Sequence, residues 1–153
     1  MKRPFVLLLT GEPNCGKSTI AYELLQRGLR NCLVIDGDKH REMQFLGKKL
    51  GFTKEDILEN NEHVIKLAKF AQEQGFNVII PQIAPYLEQR QQIHYHLDNV
   101  LEIYLKCPKH VRSQRVNFKD SDLVYEEGGA QMTILTEVFP IHACAQMILG
   151  VMG

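Results

Sequence analysis

Ten residues, Thr10-Gly11-Glu12-Pro13-Asn14-Cys15-Gly16-Lys17-Ser18-Thr19, follow directly on the apolar run Phe5-Val6-Leu7-Leu8-Leu9. That order leaves few folds open. A buried strand must run into a glycine-bracketed turn and then into a helix, because Ile20, Ala21, Leu24 and Leu25 fall on one helical face before Gly28 stops the run. The spacing Gly-x-x-x-x-Gly-Lys-Ser is that of a Walker A loop, and the strand before it and helix after it are the required context. Gly11 and Gly16 let backbone N–H groups face an anion, and the helix start adds the positive end of its dipole. Lys17 supplies a point charge for β- and γ-phosphates, and the Ser18 hydroxyl a ligand for Mg²⁺. The whole segment Gly11, Glu12, Pro13, Asn14, Cys15, Gly16, Lys17, Ser18 and Thr19 is therefore the expected ATP site, with ATP as co-substrate and Mg²⁺ as cofactor.

Apolar, β-rich runs recur at Phe5–Leu9, Cys32–Ile35, Val78–Ile80, Leu101–Leu105 and Met132–Leu135. Segments that can be helical alternate with them, at Ser18–Arg27, roughly His40–Leu50, Lys54–Gln74, Tyr86–Leu97, Lys109–Arg115 and Pro140–Val151. Strands alternating with helices predict an α/β fold, a P-loop NTPase-like and mostly parallel sheet with helices on both faces. With 153 residues and no repeat, linker or low-complexity segment, residues 1–153 read as a single kinase domain. Gly128-Gly129 is the one evident flexible joint.

Lys plus Arg and Asp plus Glu balance at 18 each, so no overall field draws the chain to nucleic acid or a membrane surface. The four cysteines, Cys15, Cys32, Cys107 and Cys144, lack zinc or redox spacing, which fits a reducing cytoplasm. The apolar run near the start is too short for a signal or a membrane span and leads straight into the loop.

In open parallel sheets ligands bind beyond the carboxyl ends of the strands. The second strand ends there in Ile35-Asp36-Gly37-Asp38, followed by Arg41. A reacting hydroxyl needs a carboxylate to take or orient its proton, and Mg²⁺ needs nearby acidic groups. Asp38 and Asp36 suit those roles, Asp36 reaching the metal directly or through water. In isolation an Asp-Gly-Asp turn is an ordinary solvated loop, so the preceding phosphate loop is what gives it weight. His94 and His96, two apart on a helix, point to different faces and cannot share a metal, so they read as surface or core-edge residues.

Together with the phosphate loop, the segments Arg27-Gly-Leu-Arg-Asn-Cys-Leu-Val-Ile-Asp-Gly-Asp38, Leu50-Gly-Phe-Thr-Lys-Glu-Asp56, Glu59-Asn60, Ile83-Ala-Pro-Tyr86 and Tyr125-Glu126 resemble the adenylylsulfate kinase family over nearly the whole chain. The resemblance implies transfer of the ATP γ-phosphate to a hydroxyl of adenosine 5′-phosphosulfate or a related nucleotide. It implies that Asp38 is the base or hydroxyl-orienting group and that Arg41 and Asn60 hold the acceptor, with Phe52 and Phe118 sandwiching its adenine. Arg112 and Arg115 are placed to reach ATP. The acceptor partner is a small nucleotide-like molecule, and a homodimer is one possible assembly.

The chain departs from the family at several points. Ile57 and Asn61-Glu62-His63 flank Glu59-Asn60 where arginines are usual, Ala84 replaces a serine, and a lid bearing a lysine is missing after Arg115. The expectation is therefore a kinase whose use of adenosine phosphosulfate is poor. A kinase for another nucleotide conjugate, sugar or small alcohol, and a non-catalytic ATP-binding regulatory module, are the alternatives.

Overall fold

β1 (Val6–Thr10) is buried along its whole length and lies at the centre of the sheet. Its side chains alternate between two apolar layers, which is why the strand reads as unbroken hydrophobic sequence. Leu7 and Leu9 pack with Ile20, Leu24, Cys144 and Ile148, while Val6 and Leu8 pack with Val64, Ala68, Ile93 and Leu97. The computed structural model describes residues 3–43, 49–119 and 121–153.

The remaining strands are β2 (Cys32–Val34), β3 (Asn77–Pro81), β4 (Val100–Lys106) and β5 (Met132–Leu135), in the order β2-β3-β1-β4-β5. Every pairing in this sheet is parallel, with Val6 opposite Val78 on one side and Val100 on the other. The helices are α1 (Lys17–Gln26), α2 (Gly37–Glu42), α3 (Lys54–Glu73), α4 (Leu87–His96), α5 (Lys109–Arg112) and α6 (Ile141–Met152). α1 and α6 supply residues to one apolar layer, α3 and α4 to the other, so the expected α/β sandwich is observed.

The elements expected from sequence appear with each end within three residues of the expected one, apart from the second helix. It begins at Gly37 because Asp36 caps it, its Oδ1 accepting from the N–H groups of Asp38 and Lys39 at 3.1 Å each. Residues 44–48, the middle of the span expected to be helical, lie outside the described residues. Pro140 caps α6 instead of occupying its first turn. Gly128 is not a free joint, since its carbonyl accepts from Arg90 Nη2 at 3.3 Å. Among the described residues no helix is long and apolar enough to cross a membrane.

Candidate active site

The loop from Gly11 to Gly16 joins β1 to α1, with Gly16 as the helix cap. Gly11 has φ +152°, and a Cβ there would overlap the Leu105 carbonyl oxygen and crowd Cys15 Sγ, so only glycine lets the loop close against β4. Cys15 is buried and its Sγ fills this space. Lys17 Nζ donates to the carbonyls of Gly11 at 2.8 Å and Glu12 at 2.9 Å, which holds the ammonium at the mouth of the loop.

One hydroxyl joins the loop to the second strand. Ser18 Oγ donates to Asp36 Oδ2 at 3.1 Å, while the other oxygen of the same carboxylate caps α2. Asp36 therefore spans two elements, and α2 presents Asp38 and Arg41 one turn on. Arg41 Nη1 lies 3.7 Å from Asp38 Oδ1, and its guanidinium sits 4.6 Å from the centre of the Phe52 ring. Phe52 is 63% exposed, so nothing in the core claims that ring. Desolvation pushes the Asp38 carboxyl above its usual 3.8, opposed first by the Lys17 and then by the Arg41 charge.

Lys17, Ser18, Asp38, Arg41 and Phe52 share one cavity of about 1180 Å³, and Asp36 is not among its lining residues. Its walls include Pro13, Asn14, Gly16, Lys17, Ser18 and Thr19 of the loop, then Asp38, Arg41, Phe52 and Ile83, with Arg115, Lys119, Asp122, Thr136, Phe139 and Ile141 closing it. A phosphate-binding loop, a carboxylate and an exposed ring thus line one space large enough for two small molecules.

Other residues singled out from sequence lie elsewhere. Asn60 is 2% exposed and points into the protein, its Nδ2 donating to the Gly37 carbonyl at 2.9 Å and its Oδ1 2.7 Å from His40 Nδ1. It holds α2 onto α3 and does not line the cavity. Phe118 lies beside Arg112, with 5.9 Å from the guanidinium to the ring centre, and is also absent from the cavity wall. Arg112 is 3% exposed and braces the loop from behind, donating to the Pro13 carbonyl and to Glu12 Oε2 at 3.1 Å each. Arg115 does reach the cavity while donating to the carbonyls of Asn14 at 2.7 Å and Thr136 at 3.1 Å.

Several wall residues escaped the sequence reading, Lys119 and Ile83 among them. Lys119 stands beside the missing lid and returns a cation to the cavity; its place directly after Phe118 was the available signal. Ile83 opens the Ile83–Tyr86 segment, but its aliphatic side chain gave no chemical hint.

A family model for adenylylsulphate kinase matches residues 3–136. The chain belongs to the adenylylsulphate kinase family. Adenylyl-sulfate kinase of Thermodesulfovibrio yellowstonii is 33% identical, with 95% of this chain and 82% of that protein aligned. Cytidine diphosphoramidate kinase of Campylobacter jejuni is also 33% identical, over 73% of this chain and 66% of that protein. With several other curated relatives the aligned part spans 57 to 61% of their length. The Mycobacterium tuberculosis APS kinase CysC, solved with AMPPNP and APS, superimposes with a TM-score of 0.82 over 99% of both chains at 21% identity, which shows a shared fold. Adenylylsulphate kinases are ATP-dependent phosphotransferases that act on a hydroxyl group, and this chain is one of that family.

Proposed function

We propose that the chain transfers the γ-phosphate of ATP to a hydroxyl of a nucleotide conjugate, with the acceptor stacked on Phe52 and its hydroxyl directed at Asp38. The observation that carries this reading is the continuity of the cavity from Lys17 and Ser18 to Asp38, Arg41 and Phe52. Donor and acceptor in one continuous cleft can meet in line, and positioning with charge neutralisation is most of phosphoryl-transfer catalysis.

Lys17 would neutralise the β- and γ-phosphates, Arg115 with Thr136 and Phe139 would bound the donor side, and Asp38 would orient the attacking oxygen. Ser18 and Asp36 fit Mg²⁺. Their oxygens are hard donors 3.1 Å apart beside the phosphate loop, and this ion takes few protein ligands, the rest being phosphate and water. When bound, Mg²⁺ supplies charge neutralisation on the β- and γ-oxygens.

Besides Lys17 and Arg115, Arg41 and Lys119 are the cations that line the cavity among the described residues, and an exposed ring tolerates any base. The 33% identity to both an adenylyl-sulfate kinase and a cytidine diphosphoramidate kinase supports a nucleotide acceptor whose base and anionic group are open. The deciding experiment is ADP release with MgATP across a panel of adenosine 5′-phosphosulfate, cytidine diphosphoramidate, other nucleotides, sugars and simple alcohols, with the product phosphate located by NMR. Turnover of a nucleotide conjugate well above that of adenosine phosphosulfate is expected. Turnover confined to sugars or simple alcohols would overturn the reading.

A further inference from the structure

The segment that follows β3 is a wall of the cavity and also the bed on which the start of α2 rests. Gln82 lies so close to Gly37 that a Cβ there would overlap Gln82 Oε1, and Ile83 and Asp38 line the same cavity. What holds this segment is a chain of hydroxyls whose direction can be deduced. Thr10 Oγ1 is 2.7 Å from the Ile83 carbonyl, which can only accept, so the single Thr10 proton is spent there. Tyr125 OH, 2.9 Å from the same Thr10 oxygen, must therefore donate to it.

Tyr125 is itself held on both ring faces. Tyr104 stacks on it at 4.7 Å and 10°, and the Arg90 guanidinium sits 4.7 Å from its centre. Arg90 Nη1 also donates to the carbonyl of Ala84 at 2.6 Å, fixing the next residue of the same segment in a φ of +47°.

We propose that Tyr125 and Thr10 are positioning residues for phosphoryl transfer: the directed chain Tyr125 to Thr10 to the Ile83 carbonyl locks the segment that follows β3, and with it the start of α2, which presents Asp38. Neither touches the reacting atoms. The inference rests on Asp38 being the group at the acceptor hydroxyl.

The test compares wild type, Tyr125→Phe, Thr10→Val, Thr10→Ser and Asp38→Asn, using the acceptor that turns over fastest in the panel above. Tyr125→Phe and Thr10→Val are expected to lower kcat about three- to tenfold with the KM for ATP within about twofold, as loss of one hydrogen bond implies. Thr10→Ser keeps the hydroxyl and should stay within about twofold of wild type. Combining Tyr125→Phe with Asp38→Asn should add little to Asp38→Asn alone, because both act through one group. On the free protein, exchange of the Gly11 amide, which shares the Ile83 carbonyl at 3.4 Å, should quicken about tenfold in both chain-breaking variants. Unchanged kcat and unchanged Gly11 exchange would overturn the proposal, as would a kcat loss of equal size in the Asp38→Asn background. An Asp38→Asn protein of normal kcat would instead defeat the underlying reading of Asp38.

Discussion

At the scale of single residues the site separates charge that lines the cavity from charge that builds the loop. Lys17 is 7% exposed and bonded to two loop carbonyls, yet it still lines the cavity. Lys17→Ala should therefore remove nearly all MgATP-dependent turnover at little cost in Tm, checked by coupled assay and thermal melt. Asp38→Asn should lower kcat far more than it changes the KM for ATP; an equal loss of ATP affinity would place Asp38 at the metal instead. For Phe52→Ala we expect about 1–3 kcal/mol of acceptor affinity to be lost, read by titration, since the ring is exposed and has stacking to give. Arg112 is the contrasting case. In the sequence it looks like Arg115, three residues on; only packing reveals that Arg112 is buried under Pro13 and that Arg115 opens on the cavity.

At the scale of elements, the connection between α4, β4 and residues 125–128 is a buried polar unit with no signature in the linear pattern. Arg90 and Glu102 are each about 2% exposed and lie 3.4 Å apart, and His94 Nε2 is 3.0 Å from the other Glu102 oxygen. Glu102→Leu should destabilise the protein by about 3–5 kcal/mol, measured by denaturant titration, because it leaves the Arg90 charge buried without its counterion. The Tyr125 phenol is pushed up to about 12 by burial, and that of Tyr104 is raised as well. A phenol whose folded pKa exceeds its unfolded value of 10.0 gives stability that is whole below pH 10 and lost as pH rises through about 12. Tyr125→Phe should accordingly flatten the fall of stability across that alkaline window. The strands and main helices were legible because burial writes a period into sequence. Asn60 and Phe118 were not, since an amide at a helix–helix contact and one facing a ligand have the same spacing, and here Asn60 is spent on His40 and Gly37.

At the scale of the whole molecule, a mostly parallel sheet was legible from the alternation of strands and helices, and with it the sheet edge to which the phosphate loop and Asp38 belong. The strand order was less so, because apolar runs do not say which neighbour they choose. That order has a consequence for how the chain is made. β1 forms the middle of the sheet, but its partners β3 and β4 are synthesised much later, Val6 pairing with Val78 and Val100. At typical synthesis rates of about 5–20 residues per second, roughly 4–15 s pass between the two members of the first pair. Through that interval the ribosome-bound chain carries a run of leucines with no sheet to enter, so nascent chains arrested before β3 should be protease-sensitive and bind chaperones, while those arrested after β4 should begin to resist.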